Sequence, residues 1–354
     1  MNPKRDLFFK EEFVKAFETC NEQLTQYYLV LKTSSFIALG IIQKVVIHLD
    51  KATENVSITN SVAKNLRCFI HGRSVKINIC GNLFLSGSYG VCASDNLYLE
   101  EAIKIVADYL KKEKEASLNF LKDLGNKLPT QNKIKTALGY HHFAVEPNMA
   151  LYISSDWQQF DDYKKSLKSK YRVKINRAET LSERLSIQPF SSEEIIKHKD
   201  ELQQLLENIT DKALWKTIDL NIETYSTLKE SFGCELLFNV YYLEGRMVGF
   251  ATGFHNRDEL VAHFVGIDYK FNKDHSIYPR ILNDYVKETI HRKCTKLNLG
   301  RTSGEIKSTL GAAPVNLYCY VRHKRSMANL IFKPLTDQID LPEYRLHKPF
   351  KKVL

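Results

Sequence analysis

The chain repeats itself, and the repeat limits the choice of fold more than any other feature. KTALG at 135–139 matches KSTLG at 307–311, and SLNF at 117–120 matches KLNL at 296–299. Helices predicted to begin at Tyr98 and Tyr278 precede the second pair, so one single-residue gap keeps helix and strand in step. Matches that recur in one order within the same predicted elements indicate a duplicated unit. Each copy reads as strand pair, third strand, helix, strand, loop and final strand. In the first copy these are QYYLVLK and SFIALGIIQKVVI, SVKINICG, YLEEAIKIVADYLKK, ASLNFL and HHFAVEPNMALYI. In the second, ELLFNVYYL, MVGFATGFH and ELVAHFVGID are joined by short turns at 244–246 and 256–258. Short apolar, β-branched runs broken by such turns are antiparallel strand signals. Ile281, Leu282, Tyr285, Val286, Thr289 and Ile290 then share one helical face. TKLNLG, a loop and VNLYCYVRH complete the unit.

The expected organisation is a first copy at 1–155, a basic helical connector at 156–190, a second copy at 191–330 and an extension at 331–354. The connector carries Lys164, Lys165, Lys168, Lys170, Arg172, Lys174 and Arg177, either as a solvated helix face or as an anion-binding strip beside a cleft between the copies. Two helices are expected from Ser191 to Phe232, with Ile195, Ile196, Leu202, Leu205, Leu206 and Ile209 on one apolar face. The extension, with Pro334, Pro342 and Pro349, is expected either to wrap back over the first copy or to stand off as a basic end.

Charge narrows the partners. With 51 Lys and Arg against 41 Asp and Glu, the formal charge is +10, which suits anionic partners such as phosphates, nucleotides or RNA and also serves solubility. Seven cysteines, an odd number without CxxC spacing, fit a reducing compartment. MNPKRDLFFKEEF is charged throughout, unlike a signal peptide, and the longest apolar run falls far short of a membrane span. A cytoplasmic protein is expected. No His, Cys or Asp cluster has metal-ligand spacing, and no serine sits in a nucleophile elbow.

Three segments carry a family resemblance: KSKYRVKINRAE (168–179), EGRMVGFATGF (244–254) and LNLGRTSGEIKSTLGAAPVNLYCY (297–320). Their order resembles the GNAT-superfamily acyltransferases of the Fem-like type, the peptidoglycan-bridge aminoacyltransferases and their relatives. The likeness covers most of the chain, more firmly from Asp156 onward. It implies an α/β (α+β) fold made of tandem GNAT-like units, with mixed, largely antiparallel sheets flanked by helices. It further implies transfer of an acyl or aminoacyl group to an amine of a cell-wall, nucleotide-linked or polysaccharide-type acceptor. Two alternatives stand beside that activity: an acetyl-CoA-dependent N-acetyltransferase of a small molecule, and an inactive nucleotide- or RNA-binding module of the same fold.

The resemblance places Lys307 beside the substrate cleft, where an ammonium would steady an oxyanion or phosphate, or else brace its loop. Arg301, with Thr302 and Ser303, is the candidate fork for a carboxylate or phosphate, unless it pairs with Glu305. GNAT enzymes splay two strands around the acyl carbonyl and hold the CoA pyrophosphate at a helix start. The corresponding place is the stretch from Asp268 to Tyr278, with Lys270, Lys273 and Ser276 as phosphate ligands. That stretch lacks the usual glycines, since none occurs between Ile267 and Leu299. The lack counts against acyl-CoA without excluding it, so the donor is either acyl-CoA or aminoacyl-tRNA, with no tightly bound cofactor expected. Candidate proton-transfer groups are His263, Asp268, Tyr278 and Tyr318. Arg172 and, in the glycine-rich turn of the first copy, Tyr89 complete the substrate-binding candidates.

Overall fold

The structure, a computed structural model, describes residues 6–48, 74–87, 90–125, 131–210, 220–330, 341 and 343–351. Its strands are β1 Thr25–Lys32, β2 Ile37–His48, β3 Ser74–Cys80, β4 Val91–Ala93, β5 Leu118–Gly125 and β6 His141–Tyr152 in the first copy. There follow β7 Leu185–Pro189, β8 Leu236–Leu243, β9 Arg246–Asn256, β10 Glu259–Ile267, β11 Lys296–Asn298 and β12 Ala313–His323. Eleven of them run in the order β1-β2-β3-β5-β12-β6-β11-β10-β9-β8-β7, and β4 pairs with β2. Apart from β7 the order is a palindrome, which is how a duplicated unit looks when its copies join edge to edge. Each half holds one parallel pair, β3 with β5 and β10 with β11, and the other ladders are antiparallel.

The duplicated elements correspond one to one. The Leu99–Lys112 helix buries Ala102, Ile103, Val106, Ala107 and Leu110, an apolar stripe at helical spacing. Its counterpart Ile277–His291 buries Ile277, Ile281, Leu282, Tyr285, Val286 and Ile290. Gly139 and Gly311, the ends of the matched pentapeptides, both take positive φ, at 71° and 98°. That is why both copies keep glycine there.

The two copies are interlocked. β6, the last strand of the first copy, pairs with β11 and β12 of the second, and β12 pairs with β5 of the first. Met149 and Leu151 of β6 are fully buried in the second copy's core, each contributing about 1.5–3 kcal/mol by burial. The Glu11–Cys20 helix likewise sends Phe13 and Phe17 into a cluster with Tyr225, Phe232 and Phe254. Separated halves would expose these side chains.

Two local expectations change. Between Ser191 and Phe232 the described residues form three helices, Ser192–Lys197, Lys199–Thr210 and Glu223–Phe232. The break at His198 turns Ile196 outward, to 44% exposure, so it leaves the apolar face formed by Ile195, Leu202, Leu205 and Leu206. The connector is not all helix either. After the Phe160–Ser166 and Ser169–Leu181 helices it ends in β7, which extends the sheet beside β8. Among the described residues, no helix is long and apolar enough to cross a membrane.

Candidate functional site

β10 and β11 pair only from Glu259 to Val261, opposite Lys296 to Asn298. β10 then stays with β9 as far as Ile267, past an irregularity between Ala262 and Val265, while Leu299 and Gly300 beyond β11 stay bonded to Met149 of β6. The parted strands lead to the start of the Ile277–His291 helix and to the loop after β11. There, a groove of ≈ 560 Å³ opens between that helix, the Gly304–Thr309 helix and the connector helix Ser169–Leu181. Lys174 and Arg177 line one wall; Ser276, Ser303, Glu305 and Thr309 line the others, with His347 at the rim. The groove's lining is more apolar than polar, with Ile175, Leu282, Ile306 and Leu310 set among the charged groups.

The loop that borders this groove is tightly held. Gly300, Thr302 and Ser303 all have left-handed backbone, with φ of 68°, 61° and 50°. Lys307 is 4% exposed and donates to the carbonyls of Leu299 (2.6 Å), Gly300 (3.4 Å) and Arg301 (2.6 Å). Burial pushes its ammonium down to about 7, and the Glu146 charge offsets this only in part. The hydroxyl of Tyr278 bonds to Ser303, and burial raises that phenol to about 12. Arg301 does not pair with Glu305. It reaches across to the fully buried Asp123 of the first copy, while Glu305 faces His347 at 3.4 Å.

Of the C-terminal residues His347 lines the groove, and its neighbours pack on the elements around it. The described part of the extension, residues 341 and 343–351, runs against the connector and the 304–311 segment, and Tyr344 Oη also reaches Met149 Sδ on β6 of the first copy. Lys168 N donates to Pro349 O (2.8 Å) and Lys351 N to Ser166 O (3.0 Å). His347 sits between the Tyr171 hydroxyl, at 3.2 Å, and Glu305, and its amide donates to Ser308 Oγ. A Cβ at Gly304 would lie 2.4 Å from the Tyr344 ring, and one at Gly311 would lie 2.2 Å from Phe350. Gly311→Ala, which also opposes a φ of 98°, is expected to undock Phe350 and cost about 3 kcal/mol, read by calorimetry. A melting temperature unchanged from the parent would refute this docking.

The other candidates are placed as follows. Ser276, in left-handed conformation at the helix start, lines the groove with Ser303. Arg172 is half-buried on the connector helix beside it; of the basic cluster, Lys174 and Arg177 reach the groove. Lys164 and Lys165 pair with Asp161 and Asp162, and Lys168 caps the Lys348 carbonyl. The stretch expected as a phosphate loop is itself a helix, Tyr269–His275, with Lys270 and Lys273 exposed. Asp268 caps that helix through Lys270 N and pairs with Arg246, while Asn272 takes the Tyr278 amide. His263 is held by Tyr225 Oη and the Phe84 carbonyl among phenylalanine rings, and burial pushes it down to about 4. Tyr318 lies between β5 and β6, 6.1 Å from the His142 ring. Tyr89 lies outside the described residues. The structure thus gathers Ser276, Tyr278, Ser303 and the Lys307-braced turn, and leaves His263 and Tyr318 elsewhere.

The palindromic sheet, with a helix leading into the second strand of each parallel pair and β10 parted from β11, defines a tandem GNAT fold. No protein-family model and no curated protein matches the chain. Solved structures do. FemX aligns over 95% of this chain and 96% of its own, with a TM-score of 0.55 and 10% identity. A tandem GNAT protein from the clavulanic acid biosynthesis pathway covers 89% of this chain and 87% of its own, at 0.50 and 7%. The C-terminal domain of a putative lysylphosphatidylglycerol synthetase from Agrobacterium fabrum covers 86% of each chain, at 0.50 and 8%. At such identities the likeness is one of fold: this chain has the Fem-like, tandem GNAT architecture.

Proposed function

We propose that the protein is an acyltransferase that moves an acyl or aminoacyl group from a phosphorylated adenosine carrier to an amine. The observation that carries this is the parting of β10 from β11 beside a groove walled by Lys174 and Arg177. CoA thioesters and the 3′ end of aminoacyl-tRNA share the chemistry such a groove suits: an activated carbonyl on a polyanionic adenosine carrier. The acceptor is an amine of a cell-wall, nucleotide-linked or polysaccharide-type molecule, as the sequence resemblance implies.

In this reaction the amine nitrogen attacks the acyl carbon. The new C–N bond replaces the C–S or C–O bond to the carrier, the amine gives up a proton, and the leaving sulfur or oxygen takes one up. Transfer is taken as direct: among the described residues that line the groove there is no cysteine and no serine paired with a histidine side chain. Tyr278 stays protonated well above neutral pH and is joined to Ser303, which suits it to supply the leaving-group proton. Lys307 acts through the turn it braces, because its hydrogens are committed to three carbonyls.

The test is calorimetric titration with acetyl-CoA and desulfo-CoA of the parent and of Lys174→Ala/Arg177→Ala. Micromolar binding weakened about tenfold or more by the pair is the expected result for a CoA donor, since each phosphate contact carries about 1 kcal/mol. No binding at millimolar ligand removes CoA. Transfer from charged tRNA would then be measured, and its failure too would overturn the acyltransferase assignment.

A further inference from the structure

The repeat continues past its matched letters, and its two halves meet there. In step with SLNF and KLNL, Lys122 falls opposite Arg301 and Asp123 opposite Thr302. Asp123 and Thr302 share a left-handed backbone, with φ of 59° and 61°. Lys122 and Arg301 therefore converge from the two copies near the centre of the palindromic sheet. Burial and the Arg301 guanidinium push the Lys122 ammonium down, a sign of two like charges brought together.

The duplication breaks at the next position. Thr302 is exposed and uncharged, whereas Asp123 is fully buried and contacts both Lys122 Nζ and the Arg301 guanidinium. Asp123 also accepts from the Gly87 amide (3.0 Å), and Cys319 Sγ stands 3.7 Å from it. Lys122 has a second acceptor in the Leu85 carbonyl (2.6 Å). One acid from the first copy thus serves two cations. Arg301 is gripped twice, by its side chain on Asp123 and by its carbonyl on Lys307, and two residues on, Ser303 lines the groove.

We propose that Asp123 is a positioning residue: by holding Arg301 across the junction of the two copies, it fixes the 300–303 turn and lets the first copy set the shape of the second copy's groove. The proposal takes its functional meaning from the acyltransferase reading, but the order of the turn can be measured without any ligand. The rival is that Asp123 merely neutralises buried cations.

Hydrogen exchange by mass spectrometry on the full chain separates the two. The amides to follow are those of Gly300, bonded to Asn298 Oδ1, and Lys307, bonded to Ser303 O, with Leu299, bonded to Met149 O of β6, as the strand end that leads into the turn. β8 and β9 serve as reference. Asp123→Asn is expected to speed exchange of the turn amides about tenfold or more, with the reference changing less than about twofold. Lys122→Met should leave the turn protected, and Asp123→Asn added to Arg301→Met should change nothing further. Where Asp123→Asn fails to fold, the neutral triple Lys122→Met/Asp123→Asn/Arg301→Met carries the test, since it removes the buried charges together. A stable triple variant with a loosened turn supports positioning. A stable triple variant with parental exchange at the turn overturns it, as does exchange that rises equally in β8 and β9. Failure of CoA or tRNA to bind would sink the functional reading and leave this result untouched.

Discussion

Lys307→Met is expected to lower the unfolding free energy at pH 8 by about 3 kcal/mol. At pH 8 the buried amine is mostly neutral, and its two hydrogens go to the Leu299 and Arg301 carbonyls, both at 2.6 Å; each buried acceptor left bare costs about 1–3 kcal/mol. Relief from holding the lysine deprotonated below its ordinary pKa offsets part of that cost. The same lysine has a pH signature. Its pKa is about 7 in the fold against about 10.4 in the unfolded chain, so between these values the unfolded state holds the extra proton. Stability therefore rises with pH through that window and is reduced below it. From pH 7 to 9.5 the parent should gain about 3 kcal/mol over Lys307→Met in urea titrations. Equal pH dependence in the two proteins would show that Lys307 is not held as described.

Ending the chain after Leu341 should cost about 4 kcal/mol and open the groove. The truncation removes Phe350 from Trp157, at 5.5 Å between ring centroids, and from Tyr163 at 6.3 Å. It also removes Tyr344 from Gly304 and His347 from Tyr171 and Ser308. Two aromatic side chains at about 1.5–3 kcal/mol each set the scale. Trp157 is 6% exposed in the fold, so its emission should shift to the red. Phe350→Ala alone should produce about half the loss. With Trp215 replaced by Phe in both proteins, an unshifted Trp157 spectrum in the truncated chain would contradict the docking of Phe350 on Trp157.

The fold was legible because its main evidence is periodic. Alternating and helical patterns recur in both copies, and the apolar faces they define are the ones buried, as in the paired helices at Leu99–Lys112 and Ile277–His291. The site was legible only in part. Ser276, Ser303 and Tyr278 were marked by their position around a helix start and a polar loop. Lys174 and Arg177 stood among five other connector cations with nothing local to single them out. Ile196 had the right spacing and the wrong environment, because the helix it would extend breaks at His198.

Asp123 shows the limit most clearly. Inside LNFLKDLG it reads as an ordinary charged residue near a strand end. Its significance comes from Arg301, 178 positions further on, and from a bulge that turns it inward between β5 and β12. Local pattern dictates which segments become strands and helices, since backbone bonding and burial repeat at short intervals. The exchange of β6 and β12, the meeting of Lys122 with Arg301, and the docking of residues 343–351 beside the groove depend on contacts between distant segments. No short-range period encodes those contacts, so only the folded chain reveals that the first copy holds the turn of the second.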